Sequence, residues 1–493
     1  MSDPRDRYEE FRSARARDFL AWCGGRKPRA DLERLYAEYG DVTSGERLDE
    51  LEREFGSAAF ADARERWRRL WREHQRLRAD ARTLGVAGDL AAREGGQQVR
   101  VGGELRGAPR LEWLGWREAD RDTRAEIQRG LERGATELED LRAELRGRRA
   151  GELAEMGFDP PRAWDEALRP DVDLAALEAA AESLLAATEP AYRDALAAGL
   201  AAVRVPADAA LPIDLQRACA LPAWQPAFPS GRIADALDSI AAGLGCRPGD
   251  RAGLHFDTED RPAKPPGARC IECELPGEIH VVALPRGGFS DYRVLFDRTG
   301  TALALSFASP SLPVEQRRLG DPALRVAWGE LFAGRLFDPE WIERGPLAQR
   351  AAGFERDARL PRLARLRFAA LRAIAECALG RLPASADVGP AAGAFAGRLG
   401  DGLGCDWSGA GLKLLSTEGP GALDELRGLC LAGQLAEKLR ERHGRRFWES
   451  PRAGDLLKEI WNTGTHYSAA EWADQLELGP LELDFLAREA LPG

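Results

Sequence analysis

The chain reads as a mainly α-helical protein with one small sheet. Apolar residues recur at helical spacing through most of its 493 residues, period-two alternation is confined to two short regions, and no internal repeat of solenoid period is present.

The first ninety or so residues read as helices, with Thr43-Ser44-Gly45-Glu46 as a capping box. Trp67, Leu70, Trp71, His74 and Leu77 fall on one helical face, which reads as core. Val99-Arg100-Val101, Glu104-Leu105-Arg106 and Leu111-Glu112-Trp113 then alternate like short strands around Gly102-Gly103. A charged helix is expected from about Asp120 to Arg148, and Ala-rich helices from Leu174 to Ala202. Pro222 to Gly231 reads as a connection. The remaining strands are expected between Leu254 and Leu284, interrupted by Arg261-Pro262-Ala263-Lys264-Pro265-Pro266-Gly267. From Leu360 the pattern is helical again, with a capping box at Ser468-Ala469-Ala470-Glu471 and Gly464 stopping the helix before it.

The chemistry-bearing candidate lies after the strand-like run Glu278-Ile279-His280-Val281-Val282-Ala283-Leu284 and the turn Pro285-Arg286-Gly287-Gly288. A helix is expected next, with Ser290 as N-cap. Tyr292, Leu295, Phe296, Thr299, Gly300, Leu303 and Phe307 share one face of it, and Arg293, Asp297, Thr301 and Ala304 another. Gly320-Asp321-Pro322 then marks a second helix, capped by Asp321 and striped by Leu324, Ala327, Trp328, Leu331 and Phe332.

These two helices, with Asp338-Pro339-Glu340-Trp341 after them and Ala453-Gly454-Asp455 to Trp461 near the end, resemble the oligopeptidase branch of the gluzincins, the group of thimet oligopeptidase and oligoendopeptidase F. The resemblance implies a zincin-like helical peptidase fold with a small antiparallel sheet beside the active-site helix. It also implies a zinc site of two His at i and i+4, a Glu beside the first, and a third ligand, Glu, on the second helix. Here Asp297 and Thr301 stand at the His places, Arg298 at the Glu place and Val326 at the third-ligand place, so the ligands are replaced while the setting is kept. Glu330, one turn further, is the nearest substitute. The family's Tyr and His for the oxyanion would fall within Gly421 to Leu435, which contains neither.

The five His residues, at 74, 255, 280, 443 and 466, include no i, i+4 pair, so no helix can present two imidazoles to one metal. Without a metal, neutral water is a very poor nucleophile, and Arg298 stays protonated and cannot act as a base. The spacing of Cys270 and Cys273 sends their side chains to opposite faces of an extended strand, so they read as buried strand cysteines rather than a metal site with His280.

A net charge of −11 argues against nucleic acid and anionic membranes as partners. The N-terminus lacks a signal-peptide core, no apolar run is long enough to span a membrane, and eight scattered Cys fit a reducing cytoplasm. Three regions are expected: 1–205, helical with a hairpin; 206–345, the peptidase-like core; and 346–493, helical. The functional expectation is an inactive pseudopeptidase without a cofactor that binds peptides or a partner protein. Glu278, Ile279, His280, Val281 and Val282 are its candidate strand edge. The alternative is a metallopeptidase cutting oligopeptides with non-standard ligands from Asp297, Glu330 and a Cys or His elsewhere. A structural role beside an active relative is a third possibility.

Overall fold

The computed structural model of the protein describes residues 3–343, 347–407, 411–415 and 421–491. The expected boundary between 345 and 346 falls outside them.

Helix α1 (Pro4–Cys23) starts where the Asp3 carboxylate caps the Arg5 N–H and Pro4 occupies the first position. It packs with α2 (Ala61–Gly96) around Tyr8, Phe11, Leu70 and Leu77. His74 belongs to this core as expected, its Nδ1 at 2.9 Å from the Leu70 carbonyl, and burial pushes its pKa down to about 4. Ser44 caps the helix Gly45–Ser57 by accepting from the Arg47 N–H.

Strands β1 (Gln98–Val101) and β2 (Glu104–Gly107) form the expected hairpin, with Gly102 and Gly103 both at positive φ in the turn. Leu111–Trp113 is instead part of α3 (Ala108–Leu114). Three residues of alternation fit one helical turn equally well, and Pro109 in the first turn favours the helix. The charged segment splits at Leu138 into α4 (Arg121–Glu137) and α5 (Glu139–Glu155). The Ala-rich segment is one helix, α6 (Leu174–Ala202).

Strands β3 (Leu254–Asp257), β4 (Ala268–Glu274) and β5 (Glu278–Ala283) form a sheet in the order β3-β5-β4. The β4–β5 pair is antiparallel, and β3 joins parallel to β5. Strand β5 is therefore central, with both its edges paired. The expectation that Glu278 to Val282 offers an open edge is not met; among the described residues, the unpaired edges of this sheet belong to β3 and β4.

Helix α7 (Phe289–Phe307) follows, capped by Gly288 at φ 96° rather than by Ser290, which already lies in the first turn. Helix α8 (Ala323–Ala333) begins after Asp321, whose Oδ1 accepts from the Ala323 N–H at 3.0 Å as expected. Helices α9 (Ala351–Gly380), α10 (Ala422–His443), α11 (Pro451–Asn462) and α12 (Leu483–Ala490) complete the frame. The capping box at Ser468 forms, and Gly464 at φ 61° ends the segment after α11.

One core joins β5, α7, α8, α10 and α11 through Val281, Phe296, Leu303, Phe332, Leu435 and Trp461, while a second joins α6, α9, α10 and α12. Helix α7 crosses α8 at glycines. A Cβ on Gly300 would stand 2.5 Å from the Trp328 carbonyl and 2.7 Å from the Phe332 ring. Gly300→Ala is expected to destabilise the protein by about 1–3 kcal/mol through overpacking. Gly95→Ala, in open space near the end of α2, is expected to stabilise by about 0.5–1 kcal/mol. Denaturant unfolding of both variants beside wild type checks the pair of opposite signs.

Candidate functional site

Helix α7 brings Asp297, Arg298 and Thr301 to its junction with α8 and β4. The Thr301 Oγ1 donates to the Asp297 carbonyl at 3.2 Å and the Arg325 carbonyl at 3.1 Å. The Asp297 carboxylate pairs with Arg298 at 3.0 Å and lies against Gly329, whose missing Cβ leaves room for it. Val326 is turned toward α10, where a Cβ on Gly428 would stand 2.5 Å from the Val326 Cβ. So the structure brings positions 297 and 301 together with Arg325 and Gly329 of α8, and sets Val326 at the α8–α10 contact.

The donors at these positions do not fit zinc. Thr301 spends its hydroxyl on two backbone carbonyls and Val326 has no donor, which leaves the Asp297 carboxylate as a single ligand. Among the described residues, no three ligand atoms of His, Cys, Asp or Glu converge here. The nearby Arg325 guanidinium is committed to Glu272 of β4 at 2.7 Å.

Glu330, the nearest substitute, is tied to Arg365 of α9, which also reaches Glu425 of α10 at 3.4 Å. Burial works against its charge, and Arg365 and then Arg293 outweigh that, holding its carboxyl below the ordinary range. Arg293 lies beside this pair, and burial lowers its pKa to about 10. Glu272 is likewise buried yet kept ionised by Arg325, Arg318 and Arg12. Cys270, next to it on β4, stays a thiol, with its pKa pushed up to about 12 by burial. Sequence reasoning missed Glu272, Arg325, Arg365 and Glu425 because their pairings cross between distant segments, and no local spacing signals them.

The unpaired edge of β4 runs alongside α7 at this junction. At its N-terminal end a pocket of about 150 Å³ opens between Trp113, Leu114 and Trp116 on one side and Ala268, Val294 and Leu295 on the other. Trp113 is 46% exposed. The arrangement can offer backbone groups and an apolar pocket to an extended chain.

No family model matches the chain, and no curated protein matches it. Solved structures do. The fold is that of oligoendopeptidase F-type peptidases. A candidate oligoendopeptidase F from Bacillus anthracis str. Ames matches with TM-score 0.59 and 13% identity, over 93% of this chain and 81% of that one. PZ peptidase A with an inhibitor matches with TM-score 0.68 and 12% identity, over 93% and 84%. A second candidate oligoendopeptidase F matches with TM-score 0.60 and 13% identity, over 96% and 84%. No described helix is long and apolar enough to cross a membrane.

Glu330→Gln leaves Arg365 and Arg293 facing a neutral amide in a largely buried setting, so it is expected to cost about 3 kcal/mol at neutral pH. Because the folded carboxyl titrates below its ordinary 4.5, its contribution is complete above that value and is lost as pH falls through the depressed one. Unfolding of wild type and variant measured from pH 7 down to the acid limit should therefore show their difference shrinking below pH 4.5.

Proposed function

We propose that this protein is a peptidase-fold chain that binds extended peptides without cutting them by the zinc mechanism. The observation that carries the reading is the chemistry of Asp297, Arg298, Thr301 and Val326: Asp297 pairs with Arg298, Thr301 bonds two backbone carbonyls, and Val326 offers no polar side chain. A divalent cation placed there would meet a single carboxylate and no second ligand among these four side chains.

The likeness to oligopeptidase structures and the unpaired edge of β4 support the peptide part of the reading. A peptide adding to β4 gains main-chain hydrogen bonds, and its side chains project alternately toward and away from the cleft. Near Ala268 one such side chain would meet the Trp113 pocket, which favours an apolar group at that position. Glu278 to Val282 then support the edge strand from the centre of the sheet rather than touching the ligand. The negative overall charge supports a partner other than nucleic acid.

An unbiased library of extended peptides, followed by calorimetry and mass spectrometry, tests this. The expected result is binding without cleavage, weakened about tenfold, or 1.4 kcal/mol, by Trp113→Ala. Any zinc bound by the protein should be unaffected by Asp297→Ala. Hydrolysed products, or metal lost in Asp297→Ala, would turn the reading toward a metallopeptidase with altered ligands.

A further inference from the structure

On the face of the sheet turned away from α7, a separate set of ligand-type side chains converges. Residues alternate across the strands, so Ile279, Val281 and Cys270 join the core shared with α7, while Ile271, Cys273 and Val282 face Leu20 and Cys23 of α1. The register of β4 against β5 shifts between Glu272 and Glu274, and Cys273 sits at that irregularity. A bulge of this kind re-aims a side chain, and here it sets the Cys273 thiol beside Glu278 and His280 of β5. The three ligand atoms lie within 4.8 Å of one another.

Their arrangement suits a metal. The His280 Nε2 is 3.2 Å from the Glu278 Oε1, close to the separation of roughly 3.3 Å that two ligands take around tetrahedral zinc. The other carboxylate oxygen, Oε2, is held at 2.7 Å by Arg17, which fixes the group with its inner oxygen toward His280. Arg17 is half exposed, so water screens its charge. The His255 ring lies 4.8 Å from the His280 ring, on the neighbouring strand, within reach of the fourth position.

We propose that Cys273, Glu278 and His280 form a zinc site between the sheet and α1, one thiolate and one carboxylate balancing the dication. Small side-chain rotations bring sulfur, nitrogen and oxygen to zinc distances of about 2.0–2.3 Å. On binding, the Cys273 thiol gives its proton to water, and the His280 proton moves to Nδ1 so that Nε2 can ligate. Thiolate, imidazole and carboxylate together select zinc over magnesium or calcium. The site lies across the sheet from Asp297 and is independent of the peptide-binding reading.

The full chain, stripped with a chelator, is titrated with Co²⁺ and then Zn²⁺. The expected result is one Co²⁺ per chain with a thiolate-to-cobalt charge-transfer band, displaced by Zn²⁺. Cys273→Ser should abolish the band, His280→Gln should weaken affinity at least tenfold, and Asp297→Ala should change neither. No such band in the folded wild type, or a band persisting in Cys273→Ser, overturns the proposal. If Cys273→Ser does not fold by circular dichroism, unchanged affinity in His280→Gln overturns it. Metal lost only in Asp297→Ala would overturn it as well, and would also place the ion at α7 against the preceding reading.

Discussion

Helix α7 lies so close to α8, and α8 to α10, that side chains are excluded at three points. Gly300, Gly329 and Gly428 mark them, and a Cβ at any one would meet atoms of the facing helix at 2.5–3.0 Å. Close approach puts backbone polar groups within reach of side chains, which is how Thr301 comes to bond the Arg325 carbonyl. It also fixes where Asp297 can go, since its carboxylate fills the space above Gly329. Helix packing here is set by glycines and apolar residues rather than by the polar side chains at 297 and 301.

A second constraint is electrical. Buried negative charge is costly unless paired. In this protein arginines supply the balance: Arg298 for Asp297, Arg325 for Glu272, Arg365 for Glu330 and Glu425, and Arg427 for Asp321 and Asp424. Arg427 and Asp321 show how deeply such pairs enter the fold. The Asp321 Oδ1 caps the start of α8, and its Oδ2 accepts from both Arg427 and the Ala469 N–H.

How far the sequence was legible follows from the range of each signal. The Gly102-Gly103 hairpin, the Ser468 capping box and the Asp321 cap were legible because each is written within four residues. The helix–sheet composition followed from period, and the core position of His74 from its apolar face. Strand order was not legible. β3, β4 and β5 carry similar alternation, and the parallel β3–β5 pairing depends on where the Pro-rich segment between β3 and β4 carries the chain. That is why β5 read as an edge. Nor were the ion pairs of α8 legible, since Arg325 takes its partner from β4 and Glu330 is tied to Arg365 of α9.

The two cysteines of β4 show the same limit most sharply. Their spacing correctly separates them, Cys270 facing the core beneath α7 and Cys273 facing α1. From the sequence that separation argues against a shared metal, and it does so in the structure too. A strand places each side chain beside residues of the next strand rather than beside its own neighbours in sequence. Cross-strand register, shifted by one irregularity, joins Cys273 to Glu278 and His280. The sheet thereby divides its two faces chemically. One carries Glu272 paired with Arg325 of α8, and the other collects the Cys273 thiol, the Glu278 carboxylate and the His280 imidazole.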